Sequence, residues 1–150
     1  MNTPARSLAR STARLAAVQA LYQLQMEGTA LAKLLDEFHQ HRLGKEIDEA
    51  QFADAEVAFF DDLVSGVQAR GDEIDGAIAG KLADGWTIAR MDKTMLQILR
   101  CGAYELIARA DVPTAAAISE YVDVAKAFFD DSEAKFVNGI LDALGKEVRN

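Results

Sequence analysis

Apolar residues recur along this chain at spacings of three and four, and no stretch alternates over the length a strand needs. Only two prolines interrupt 150 residues. Both observations point to a chain built almost entirely of α-helices.

The helix boundaries follow from local signals. Thr3 can cap a first helix with Pro4 at its first position, where a missing N–H is harmless, and Gly28 ends it after Glu27. A second helix spans about 30–41, with Leu31, Leu34, Leu35 and Phe38 on one face. The charged stretch RLGKEIDEAQ, 42–51, reads as a connection. A third helix, about 53–70, turns Val57, Phe60, Leu63, Val64 and Val67 inward, and Gly71 and Asp72 punctuate. A fourth, about 73–84, carries Ile74, Ile78 and Leu82 and stops at Gly85. Asp92 can cap a fifth helix, with Met95, Leu96, Ile98, Leu99, Leu106 and Ile107 apolar. After the turn DVPT, Thr114 can cap a sixth helix ending near Phe129. The seventh begins near DDSEA and carries Phe136, Val137, Ile140, Leu141 and Leu144. Seven helices with short links make an all-α, bundle-like fold in one domain spanning 1–150. The pentapeptide AFFDD occurs at 58–62 and 127–131 with unmatched flanks, and reads as coincidence.

Charge is unevenly placed. The net formal charge is −8, yet residues 1–26 hold Arg6, Arg10 and Arg14 and no acid, leaving −11 on the rest. At about 100° per residue the three arginines share an arc of roughly 80°. Leu8, Leu15, Val18, Tyr22 and Met26 lie opposite, as a packing face. No acid sits three or four positions away to pair with the arginines. Near a helix N-terminus the dipole disfavours a cation such as Arg6. Guanidinium groups match phosphate oxygens and release counterions on binding. Two readings stay open on charge alone: a local anion site, or a solvated face paired with acids from other helices. The acidity elsewhere argues against broad, non-specific nucleic-acid binding.

Catalytic patterns are missing. There is no HExxH, CxxC or EF-hand loop, and GKLADG lacks phosphate-loop spacing. His39 and His41 read as solvated. Asp61 with Asp62, and Asp130 with Asp131, read as caps or surface. Cys101 is the only cysteine, sits mid-helix among apolar residues, and has no base beside it in sequence. These features point away from an enzyme, a metal or a cofactor, and a lone cysteine fits a reducing cytoplasm. No apolar run approaches the 18 residues of a membrane span. The acid-free, arginine-bearing start also suits a transit peptide, but it reads as a full core-forming helix.

In the last helix, KFVNGILDAL at 135–144 sets Asn138 and Gly139 in an apolar run. Glycine there costs about 1 kcal/mol against alanine. It suggests close helix approach at Gly139, with Asn138 bonding a neighbouring backbone.

Four segments together resemble the NusB family of bacterial transcription antitermination factors. ARLAAVQALYQ (13–23) resembles its first helix, and ILRCGAYEL (98–106) its ILRxAxYEL segment. DVPTAAAISEYVDVAKAF (111–128) is similar to VPxxxAIxExVxxAKxF, and KFVNGILD (135–142) to KFVNGVLD. They stand in family order and spacing; the weakly matched part is roughly 28–56.

The resemblance implies a compact all-α fold of two small helical sub-bundles and no catalysis. It implies binding of boxA RNA in ribosomal RNA leader transcripts together with NusE, a protein of the small ribosomal subunit. That complex joins NusA, NusG and RNA polymerase. Arg6, Arg10 and Arg14 fall at the family's arginine-rich RNA-binding N-terminus, here with Ser7, Ser11 and Thr12 among them. Tyr22 matches a tyrosine of the RNA and NusE surface. Lys135 and Phe136 fit a phosphate contact and a stacking ring, and Phe136 fits a core position equally well. Met95 and Ser132 occupy NusE-facing places that are acidic in some relatives. Relatives differ between monomer and homodimer. The same fold also occurs as a non-catalytic part of RNA cytosine methyltransferases, so the other expectation is a protein-interaction or dimerisation module without RNA binding. On the first expectation, replacing all three arginines by alanine leaves the fold intact and lowers the log–log salt slope of RNA binding by about 2.

Overall fold

A computed structural model describes the backbone of residues 3–41 and 50–149, and the side chains of residues 8–40 and 56–149. The described residues form seven α-helices and one short 3₁₀ turn: α1 (Thr3–Glu27), α2 (Leu31–His41), α3 (Ala50–Ala69), α4 (Gly71–Ala79), the 3₁₀ turn Ile88–Arg90, α5 (Lys93–Ala108), α6 (Thr114–Phe128) and α7 (Asp131–Val148). The all-α class is what the helical spacing predicts. The chain divides into two compact units, Met1–Gly66 and Val67–Asn150, with the boundary inside α3. Thr3 is itself the first residue of α1 rather than the cap before Pro4, and its side chain and most of the 42–51 connection lie outside the described residues.

In the first unit, α1 packs against α2. Gly28 ends α1 at φ +68°, and its N–H donates to the Leu24 carbonyl at 3.0 Å. A left-handed φ is where glycine replaces other residues at a helix end. The buried face of α1 differs from the one expected. Ala9, Ala13, Ala16, Ala17, Val18, Ala20 and Leu21 are buried, while Leu8, Leu15, Tyr22 and Met26 are exposed. Alanines let a neighbouring backbone approach closely, so the small-residue face packs and the bulkier face is left outside. Phe38 and Phe60 stack with ring centroids 5.3 Å apart. His39 is not simply solvated: its Nε2 lies 2.6 Å from Asp61 Oδ1.

In the second unit, α5 packs against α4, α6 and α7. From Met95 to Leu106 only Arg100 escapes burial, the pattern of a central helix enclosed nearly all round. Asp92 caps it as expected, accepting from the N–H groups of Thr94 and Met95 at 2.8 and 3.0 Å. Its two buried polar residues include Glu105, whose carboxylate accepts a hydrogen bond from the Tyr121 hydroxyl. Arg100 forms a two-pronged pair with Asp75, both contacts 2.8 Å. Asp130 caps α7 in a capping box with Glu133.

Three expectations are corrected here. α4 ends at Ala79, five residues early, and 80–87 is a turn region. Pro113 rather than Thr114 precedes α6 as its cap residue, and Thr114 Oγ1 instead accepts from Arg149 at 3.2 Å. Close helix approach belongs to Gly102, not Gly139. A Cβ on Gly102 would stand 2.7 Å from Leu141 Cδ1, whereas one on Gly139 would meet nothing within 4 Å. Asn138 is exposed.

Cys101 is fully buried, and burial, helped by Glu105, pushes its thiol far above the usual range. A folded-state value raised above the unfolded one stabilises the fold only while the unfolded thiol keeps its proton. That contribution fades as pH rises past about 9, the thiol's ordinary value. The expected outcome is a native protein inert to thiol reagents up to pH 9 and labelled at once in denaturant, read by mass spectrometry.

Candidate nucleic-acid interface

The first unit carries the arginines on α1. Arg10 is half-buried, with its guanidinium carbon 4.8 Å from the centroid of the Phe59 ring. Arg14 lies 5.0 Å from the same ring and is only 4% exposed. The even solvated stripe expected from spacing is therefore not what the fold presents. α3 supplies a buried aromatic ring beneath the two arginines, and helix spacing alone holds no record of it. A guanidinium on an aromatic face gains about 0.5–2 kcal/mol, rising as water is excluded. Arg14 is thus built into the unit's interior, and Arg10 is the more accessible of the two. The Arg6 side chain lies outside the described residues. Tyr22 is 40% exposed and extends the outward row of Leu8, Leu15 and Met26.

The second unit holds a pocket of about 490 Å³ lined by Trp86, Met91, Asp92, Met95, Phe129, Ser132, Glu133 and Phe136. Three residues expected from the family resemblance meet here: Met95, Ser132 and Phe136. Met95 is buried and lines the wall from α5; Ser132 is exposed; Phe136 is half-buried on α7. Lys135, next to Phe136, is exposed. The acids at the pocket are already engaged in helix capping. Glu133 Oε2 accepts from the Asp130 N–H at 3.1 Å and from the Ser132 hydroxyl at 3.0 Å.

Trp86 is the residue that sequence reasoning missed. It is the single tryptophan, 55% exposed, and its ring lies 6.4 Å from that of Phe136. The available signal was a large aromatic directly after a turn glycine in ADGW, 83–86.

The NusB family matches residues 11–146. The chain belongs to the NusB family. A transcription antitermination protein NusB of Sphingopyxis alaskensis is 65% identical over 144 residues, covering 96% of this chain and 97% of the relative. Another, of Novosphingobium aromaticivorans, is 66% identical over 141 residues, covering 94% and 95%. Among solved structures, T. maritima NusB superposes with a TM-score of 0.76 at 29% identity, covering 92% of this chain and 91% of that one. The antitermination factors NusB and NusE in complex with double-stranded RNA include a chain with a TM-score of 0.74 at 28% identity, covering 97% and 98%. The NusB family is non-catalytic. No helix among the described residues is long and apolar enough to cross a membrane.

Proposed function

We propose that this chain is a cytoplasmic transcription antitermination factor that binds boxA RNA of ribosomal RNA leader transcripts jointly with NusE. In that complex it acts beside NusA, NusG and RNA polymerase. The observation that carries the reading is the fold likeness, over 97% of this chain at 28% identity, to a NusB chain solved with NusE and double-stranded RNA. The residues of this chain supply a mechanism. Arg6 and Arg10 offer guanidinium groups to the phosphates of a single strand. The Phe59 ring supports Arg10 from below through a cation–π contact. Lys135 adds a cation beside Phe136, a ring on which a base can stack. Tyr22 and Ser132, both exposed, serve the protein partner, and Met95, buried in the pocket wall, acts by shaping that surface. Arg6, Arg10 and Lys135 on a chain of net charge −8 give weak electrostatic attraction alone, and NusE bound alongside strengthens the RNA complex.

The buried position of Arg14 changes what substitutions do. Arg10→Ala should leave the fold intact and lower the log–log salt slope of RNA binding by about 0.7, one single-strand phosphate. Arg14→Ala should instead cost about 1–2 kcal/mol of stability through the lost ring contact and packing. Salt titrations and urea melts of both variants check this. An unchanged slope in Arg10→Ala would remove Arg10 from the RNA site.

A second reading, a protein-interaction or dimerisation module without RNA binding, draws on one observation. Leu8, Leu15, Tyr22 and Met26 form an exposed apolar row along α1.

A further inference from the structure

We propose that Trp86 is a further RNA-contacting residue, which with Phe136 forms a slot for one unpaired nucleobase. The proposal rests on the RNA-binding reading and adds to it a residue and a ligand class, a neutral flat base rather than a phosphate.

The presentation of Trp86 is built into the chain. Residues 83–86 close a turn in which the Trp86 N–H donates to the Ala83 carbonyl at 3.0 Å. Gly85 takes the third position at φ +87°, the conformation a type II turn requires there. Arg90 pins the turn by donating to the Gly85 carbonyl at 2.9 Å. An indole held on a pinned turn and left 55% exposed adds little to the core. Its ring faces that of Phe136 at 6.4 Å between centroids, with planes 40° apart. A base sandwiched between two rings needs them about 7 Å apart, twice the roughly 3.4 Å spacing of stacked nucleotides. The two centroids are therefore close to that separation, with the planes 40° from parallel. Met91, Met95 and Phe129 supply apolar walls.

The charge at the pocket selects the ligand. Asp92 and Glu133 line it, and no Lys or Arg does. A phosphate is repelled there. A neutral base stacks on the rings and can offer its N–H groups to the carboxylate oxygens. Phosphates are left to cations outside the slot, such as the exposed Lys135.

The single tryptophan makes the test direct. The full-length protein is titrated with a twelve-nucleotide boxA-type RNA and with an equally long abasic ribose-phosphate chain, with and without NusE. Trp86 emission and affinity are read together. The expected result is that RNA quenches the emission and the abasic chain does not. Trp86→Ala should weaken RNA binding roughly 5- to 150-fold, the range of one base–aromatic stack, and Trp86→Phe should restore most of it. RNA that binds wild type and Trp86→Ala equally, without changing the emission, overturns the slot and leaves the RNA-binding reading standing. An emission change caused by NusE alone and not by RNA assigns the pocket to a protein and also overturns it. No RNA binding under any condition removes both the slot and the reading beneath it.

Discussion

Arg149→Ala will lower the melting temperature by about 6–12 °C. Arg149 follows α7 and turns its guanidinium back onto the C-terminal end of α5 and the loop beyond it. There it donates to the carbonyls of Glu105 (3.0 Å), Leu106 (3.0 Å), Arg109 (2.8 Å) and Val112 (2.6 Å), and to Thr114 Oγ1 (3.2 Å). A helix leaves its last carbonyls without intrahelical partners, and their dipole favours a cation. One side chain here bonds two carbonyls in the last turn of α5 and two more in the following turn; those of Glu105 and Arg109 also accept backbone N–H groups, from Arg109 and Val112. Hydrogen bonds to a charged group contribute about 1.5–3 kcal/mol each, well below additivity when shared by one group. A net loss of about 3 kcal/mol is the conservative expectation, and each kcal/mol moves the midpoint of a 150-residue protein by roughly 2–4 °C. Arg149→Lys should recover little, because an ammonium has three donors and no planar fork. Calorimetry checks both variants. A shift under 2 °C for Arg149→Ala would show that water replaces the guanidinium at no cost.

Gly102→Val is expected to cost about 3 kcal/mol. A Cβ at this position meets Leu141 Cδ1 at 2.7 Å and Cδ2 at 2.9 Å, and Leu141 is fully buried. A buried Leu141 must change rotamer within a close-packed interior or α5 and α7 must move apart, and either costs stability. Leu141→Ala alone should cost about 3–4 kcal/mol through the cavity it leaves. Gly102→Ala with Leu141→Ala should cost less than the two single changes combined, by at least about 1 kcal/mol, because the new methyl fills part of that cavity. Denaturant melts of the cycle measure the coupling. Additive costs would mean that the two sites relax independently. The contact also bears on the interface, since α5 carries Met95 and α7 carries Phe136 to the same pocket.

The legible parts of the fold were those signalled by residues that act locally. Asp92 before an apolar run is a cap wherever it occurs, and Gly28 after one is a stop. The helix count and the all-α class followed from such signals. What stayed hidden depends on partners distant in sequence. On α1 the large apolar residues suggested the packing face, but alanines let the neighbour approach, and it is Ala9, Ala13 and Ala17 that are buried to 0%. Gly139 and Gly102 look alike in sequence, each inside an apolar helix; only the position of Leu141 tells which one is needed. The arginine spacing was readable, yet the fate of Arg14 rests on Phe59, forty-five positions away. At the pocket, Phe136, Met95 and Ser132 entered through family resemblance, while Trp86 sits in a turn where no periodicity points to a role.

The central claim is that this chain holds RNA jointly with NusE. The most direct test is the affinity of the purified protein for a short boxA-type RNA, with and without NusE, at two salt concentrations. Weak binding that tightens at least tenfold with NusE and weakens with salt is the predicted result. A folded protein that binds no RNA under any of these conditions would contradict it.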